Sequence, residues 1–245
     1  MVNSMEFICF TASKGGVGVS QIVAQTAIAL SVSGKKCLAV DFCFKRRTLD
    51  IYIGCEHSFV FDIADVFYGR CSFDDALTKA DDNLFFLPCS QTTDIDDYSK
   101  ALDLIRQNAA GFDFVLVDMP YKNSSYDKFT KTILVTNCDA ASVRCTEKFA
   151  QDLQNDKKYL IINKIDTELI QSGFHMNVDD ICDMCGVAPI GLVPYEHGYL
   201  TKNTDAMQTR CCKAFENISR RLCGSYVCAI DFSTPKKTKK LFSRR

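Results

Sequence analysis

The run Ser13-Lys14-Gly15-Gly16-Val17-Gly18-Val19-Ser20-Gln21 has the residue types and spacing of a loop that holds phosphate. Glycines let successive backbone N–H groups turn toward one anion, and a helix starting just behind them adds the partial positive charge of its N-terminus. A loop of this type reads G-x-x-x-x-G-K-[ST]; its Lys reaches the β- and γ-phosphates and its hydroxyl binds Mg²⁺. Here Gly15, Gly16, Gly18 and the hydroxyl of Ser20 are in place, but Val19 stands where that Lys belongs. The loop by itself leaves two readings open: a nucleotide cradle short of one cation, or a strand-to-helix turn that uses glycine for backbone freedom and binds nothing.

A cradle needs a strand feeding it and a helix leaving it. Residues 6–10 read as a buried strand, and a helix is expected from Ser20 to about Ser33, with Val23, Ala27 and Leu30 on one face and Gly34 as its stop. Further apolar runs at 36–41, 84–87, 112–118, 132–136, 159–163 and 189–193 read as strands, with helix-period segments at 98–108, 147–154, 179–185 and 211–222. Strands apolar throughout, alternating with helices, predict an α/β fold: a three-layer sandwich with a mostly parallel sheet covered on both faces. Ligands of such sheets sit outside the carboxyl ends of the strands, where the glycine loop, Asp41 and Asp118 converge. Asp50 and Asp62 read instead as surface or capping acids.

The 245 residues, 47% hydrophobic and 24% charged, are those of an ordinary globule, and no run approaches a membrane span. Residues 1–10 lack the basic start and long apolar stretch of a signal peptide, which predicts a cytoplasmic protein. The fourteen cysteines are scattered, and Cys9, Cys37, Cys182 and Cys185 sit in apolar runs, as small buried hydrophobes do in a reducing compartment. Cys182-x-x-Cys185 with His175 and His197 nearby is a weak zinc signal, because a single pair at i, i+3 is also core spacing on a helix. The net charge of −1 combines a +6 segment at 236–245 with a −7 remainder. We divide the chain into an α/β domain at 1–232 and a basic tail at 233–245. An acidic body predicts no nucleic-acid partner, and the tail suits an anionic surface or stays solvated.

These residues resemble the MinD branch of the MinD/ParA family of deviant phosphate-loop ATPases, whose loop reads K-G-G-V-G-K-[ST]-T. The similarity runs on through Val40-Asp41-Phe42, Leu49-Asp50-Ile51, Gly54-Cys55-Glu56, Leu87-Pro88-Cys89-Ser90-Gln91-Thr92, Phe112 to Pro120, Val135-Thr136-Asn137, Ser142-Val143-Arg144 and Gly191-Leu192-Val193-Pro194. It implies the phosphate-loop NTPase fold, ATP or ADP with Mg²⁺ as ligands, and a role in division-site selection at the inner membrane face. Lys14 would be the signature Lys that crosses a homodimer interface. Ser20 and Asp118 would hold Mg²⁺, and Asp41 would be the first switch acid. Asn163, Pro194 and Tyr195 would flank the adenine. The implied partners are a division inhibitor, a topological regulator and anionic lipid, the last through Lys239, Lys240, Leu241 and Phe242.

The chain departs from the family pattern at the loop and the switches. Val19 replaces the loop Lys, Gln21 replaces a Thr that bonds the α-phosphate, and Cys43 replaces the second Asp of a D-x-D segment, which orients the attacking water. Tyr121-Lys122 stands where the family has a small Ala-Gly pair. Losing a hydrogen bond to a charged group costs about 1.5–3 kcal/mol, roughly 10- to 150-fold in affinity. Phosphoryl transfer depends on positioning and charge, and one lost donor typically costs about 10²–10³ in rate. The expectation is that nucleotide binding persists while hydrolysis is lost or much reduced. The rival readings are an active ATPase in which Lys14, Lys45 or Arg46 supplies the missing cation, a ParA-like factor positioning a plasmid, chromosome, pilus or flagellum, and a nucleotide-free scaffold.

Overall fold

The computed structural model describes residues 5–121, 125–153, 155–196, 209–228 and 232. The strands are β1 (Glu6–Thr11), β2 (Cys37–Asp41), β3 (Thr78–Asp81), β4 (Leu84–Leu87), β5 (Phe114–Asp118), β6 (Lys131–Asn137), β7 (Lys158–Ile165) and β8 (Pro189–Pro194). They form one sheet in the order β3-β4-β2-β5-β1-β6-β7-β8. Every neighbour pair is parallel except β3 with β4.

The helices are α1 (Val19–Val32), α2 (Leu49–Ile53), α3 (Ile63–Phe67), α4 (Phe73–Ala76), α5 (Tyr98–Asn108), α6 (Ala140–Asp152), α7 (Thr167–Gln171), α8 (Val178–Cys185) and α9 (Arg210–Leu222). The expected layers are present, and alternation along each strand explains them. Ile8 and Phe10 of β1, with Leu116 of β5 and Ile161 of β7, pack against Val23 and Leu30 of α1 and Phe215 and Ile218 of α9. Phe7 and Cys9, with Val115, Val117 and Ile162, face Leu102 and Ile105 of α5, Val143 and Phe149 of α6 and Ile181 of α8. Both faces are covered, so both sets of alternating residues must be apolar.

Several boundaries differ from the sequence expectation. The third-layer helix expected from 147 starts at Ala140, because the Asp139 side chain accepts a hydrogen bond from the Ser142 amide and caps it. The strand expected from 112 starts at Phe114; Asp113 is held outside it, its Oδ2 accepting from the Lys36 amide at 2.8 Å. Asp62 caps α3, as expected of a capping acid, and its own amide donates in return to the Asp65 carboxylate. Asp50, by contrast, is not a surface acid. It is buried in α2 and takes the Arg47 guanidinium at 2.9 Å.

Among the described residues no helix is long and apolar enough to cross a membrane. The tail at 233–245, including Lys239, Lys240, Leu241 and Phe242, lies outside the described residues, as do Lys122 and His197.

Candidate functional site

Three carboxyl ends of adjacent strands build one cleft of about 760 Å³. β1 ends at Thr11 and runs into the glycine loop, which turns at Gly16 (φ 83°) and Gly18 (φ 97°) to enter α1. Both glycines use left-handed backbone, which β-branched or bulky residues adopt only under strain. The loop is braced from behind by Asn163 of β7, whose Nδ2 donates to the Val17 carbonyl at 2.8 Å. Lys164 donates to the Gly16 carbonyl at 3.1 Å.

Lys14, Gly15, Gly16, Gly18, Val19, Ser20 and Gln21 line the cleft, whereas Val17 is buried beneath it as part of the core. Asn163 is buried behind the loop and is not on the wall. Pro194 and Tyr195 are not on the wall either; the Pro194 carbonyl accepts from the Cys211 thiol, and Tyr195 is half-exposed at the end of β8.

Asp118 lies at the floor, and Asp41 is buried beside it without lining the cleft. Strand register pairs Asp41 with Asp118 across β2 and β5. Asp41 is buried, and its Oδ1 accepts from the Cys43 amide (2.8 Å) and the Cys89 thiol (3.3 Å). Its Oδ2 accepts from the Thr48 and Leu49 amides, both at 3.2 Å. Burial raises the Asp41 carboxyl, and these bonds pull it back. Asp118 is 2% exposed, and its Oδ2 has no hydrogen-bond partner. Burial first, and then the charge of Asp41, pushes Asp118 up to about 7, with the Ser20 hydroxyl and Cys43 thiol opposing. An orphaned buried acceptor beside a hydroxyl fits a cation. Ser20, which accepts from Thr48 Oγ1 at 3.0 Å, and Asp118 are the residues that would hold Mg²⁺.

The cations are distributed unevenly. Lys14 Nζ donates to Asp139 Oδ1 (3.0 Å) and Ser142 Oγ (3.1 Å) within the same chain. Burial opposes ionisation of Asp139, but its bonds from Ser142 and Lys14 win and hold it at about 2. Lys45 pairs with Asp94 at 3.4 Å, while Arg46 and Lys164 line the cleft. Tyr121 lines it too, its ring edge-on to Phe149. Sequence reasoning missed Lys164, Thr48 and Asp139. Asp139 follows the end of β6 as Asp41 and Asp118 end their strands, so the same rule could have found it; the φ of 54° that places Lys164 leaves no trace in composition.

Comparison with known proteins places this geometry. The model of the family described as "Cellulose biosynthesis protein BcsQ" matches residues 5–178. The septum site-determining protein MinD of Helicobacter pylori is 31% identical, over 94% of each chain. The chain belongs to the MinD/ParA family. MinD of Bacillus subtilis is 29% identical, over 91% of this chain and 90% of its own. Among solved structures, the MinC:MinD cell division protein complex of Aquifex aeolicus superposes with a TM-score of 0.80 at 28% identity, covering 91% of this chain and 97% of that one. Within a MinD/ParA family fold, the glycine loop, Asp41 and Asp118 meet at the carboxyl end of the sheet, where ligands of such sheets sit.

Proposed function

We propose that this chain is a MinD-type positioning protein that binds ATP or ADP with Mg²⁺ in the cleft and hydrolyses it slowly or not at all. One observation carries the reading: the amide cradle is folded and braced from below by Asn163 and Lys164, while the first residue of α1 behind it is the uncharged Val19. Gly15 to Gly18 would hold phosphate through backbone N–H groups, Ser20 and Asp118 would hold Mg²⁺, and the bound metal would neutralise charge on the phosphates. Lys14 is engaged by Asp139 and Lys45 by Asp94, which leaves Arg46 and Lys164 on the wall to offset part of the missing charge.

The process served is division-site selection at the inner face of the membrane, with the 233–245 tail contributing basic and apolar contacts to anionic lipid. A second copy of the chain and an inhibitor of the MinC kind are the partners this reading implies, since MinD of Aquifex aeolicus was solved as a complex with MinC. The BcsQ family model supplies a second reading, a part in cellulose biosynthesis. It is separated by whether loss of the gene misplaces septa or abolishes cellulose.

Calorimetric titration of the full chain with ATP and Mg²⁺ tests the central claim. Saturable binding that tightens in Val19→Lys is expected. No heat with either protein would overturn nucleotide binding, and hydrolysis at the pace of relatives with intact loops, abolished by Asp118→Ala, would overturn slow turnover.

A further inference from the structure

Cys43 changes the chemistry of the cleft floor as well as deleting a carboxylate. Among the described residues a single group of three potential metal-ligating side chains comes together, Asp41, Cys43 and Asp118, with their ligand atoms within 4.8 Å of one another. We propose that these three residues form a site for a thiophilic divalent cation of the zinc class, bound by the protein without nucleotide.

Each ligand is placed by the backbone. Asp41 and Asp118 are register partners on neighbouring parallel strands, so their carboxyl groups leave the sheet side by side. Cys43 is tied to the same spot because its own amide donates to Asp41 Oδ1 at 2.8 Å. Its sulphur already lies 3.7 Å from Asp118 Oδ1 and 3.7 Å from the Asp118 carbonyl. A tetrahedral cation with bonds near 2.0–2.3 Å holds its ligand atoms about 3.3–3.7 Å apart, so the cluster needs to contract by roughly 1 Å.

The observation that points to a ligand is Asp118 Oδ2, buried and partnerless on the carboxyl group whose other oxygen lies 3.7 Å from the sulphur. A buried carboxylate oxygen without a donor is costly, and a cation satisfies it outright. The Thr48 and Leu49 amides, by gripping Asp41 Oδ2, supply the outer-shell support that fixes a ligating carboxylate. The Cys89 thiol on Asp41 Oδ1 is the weak donor that gives way when that oxygen turns to a metal.

Donor chemistry selects the ion. Magnesium takes oxygen donors in a near-octahedral array and keeps several waters, whereas one thiolate with two carboxylates suits zinc, leaving a fourth position open toward the cleft. On coordination the Cys43 thiol loses its proton to solvent. Asp118 belongs both to this set and to the Ser20 pair, so a zinc-class ion and a magnesium–nucleotide complex compete for it. The inference does not need nucleotide binding; with none in the assay, either reading can fail while the other stands.

The test uses the full chain, freed of metal and titrated with Co²⁺ as the spectroscopic probe. One equivalent should produce thiolate-to-cobalt charge-transfer absorption that Zn²⁺ removes and excess Mg²⁺ does not. Cys43→Ser should abolish the band and weaken Zn²⁺ binding on the order of 100-fold or more, since even outer-shell losses cost about 10–100-fold. Cys182→Ser with Cys185→Ser should leave the band intact. Asp118→Asn, which keeps the side chain's shape, should weaken the site independently of the cysteine. A band that survives Cys43→Ser, or no thiolate–cobalt absorption from the folded native chain, overturns the proposal.

Discussion

Asn163 and Gly18 fit together with no room for a side chain: a Cβ on Gly18 would stand 2.7 Å from Asn163 Nδ2. The same amide donates to the Val17 carbonyl, so the end of β7 sets the height of the loop from below. Gly18→Ala therefore meets two penalties, the left-handed backbone (φ 97°) and the clash. Each costs on the order of 1–3 kcal/mol, so the thermal midpoint should fall by several degrees. Pairing it with Asn163→Ala removes the clash but not the backbone strain, so the double variant should show non-additive coupling. Strict additivity in thermal denaturation would dissociate the two residues.

Asp139, held ionised by Ser142 and Lys14, has a defined pH signature. Asp139 is held at about 2 against an ordinary 3.8, so the folded state keeps it ionised more readily than the unfolded chain does. A depressed carboxyl adds stability that is complete above the unfolded value and is lost as pH falls toward the folded one, here from roughly 4 down to 2. Because the Lys14 and Asp139 side chains are both more than a third exposed, screening reduces the contribution to about 1 kcal/mol or less. Asp139→Asn retains an oxygen for the α6 cap and removes the charge. Its unfolding free energy in urea should trail the native protein near neutrality and converge with it below pH ~2. A difference that stays constant across that window would mean that ionisation of Asp139 is not what stabilises the fold.

The sheet was legible because burial on both faces writes itself into sequence as unbroken apolar runs. Seven of the eight strands were read, and β3 was not: Thr78–Asp81 is a polar edge strand paired antiparallel to β4, whose pattern says little alone. α2, α3, α4 and α7 are four or five residues long, too short for a helical period to emerge. Asp62, before α3, was read as a surface or capping acid; the Ser72–Asp75 capping box of α4 was a signal the sequence reading did not use. At the site, Asp41 and Asp118 were legible as strand-end acids. The roles of Lys164 and Asn163 as props under the loop were not, because they depend on the placement of β7 beside β6 and on a left-handed residue at 164.

Arg46 is the residue of the switch segment that bears charge on the cleft wall, Lys45 having turned to Asp94. If it offsets part of the charge that Val19 lacks, Arg46→Ala should weaken ATP–Mg²⁺ binding roughly tenfold, the low end of a charged hydrogen bond. Its side chain is exposed, so unfolding free energy should stay within about 0.5 kcal/mol of the native value. The binding loss should shrink in high salt, as expected of a solvent-facing charge. Unchanged affinity in calorimetry would remove Arg46 from the phosphate site.

Val19→Lys restores the cation at the first residue of α1, where the side chain borders the cleft beside Ser20. It should tighten ATP–Mg²⁺ about 10- to 150-fold, the worth of one hydrogen bond to a charged group. Turnover should respond less, because the water-orienting carboxylate that the family resemblance assigns to position 43 is still a thiol. Cys43→Asp alone should leave both affinity and rate low. It places a third carboxylate beside Asp41 and Asp118, where burial, and then the charge of Asp41, already push Asp118 upward. Together the substitutions should raise single-turnover hydrolysis by more than the product of their separate effects, since a held phosphate and an oriented water act as one unit. Strictly multiplicative rates would mean that the two losses are independent, and that charge at the loop does not set the position of the phosphate over Asp118.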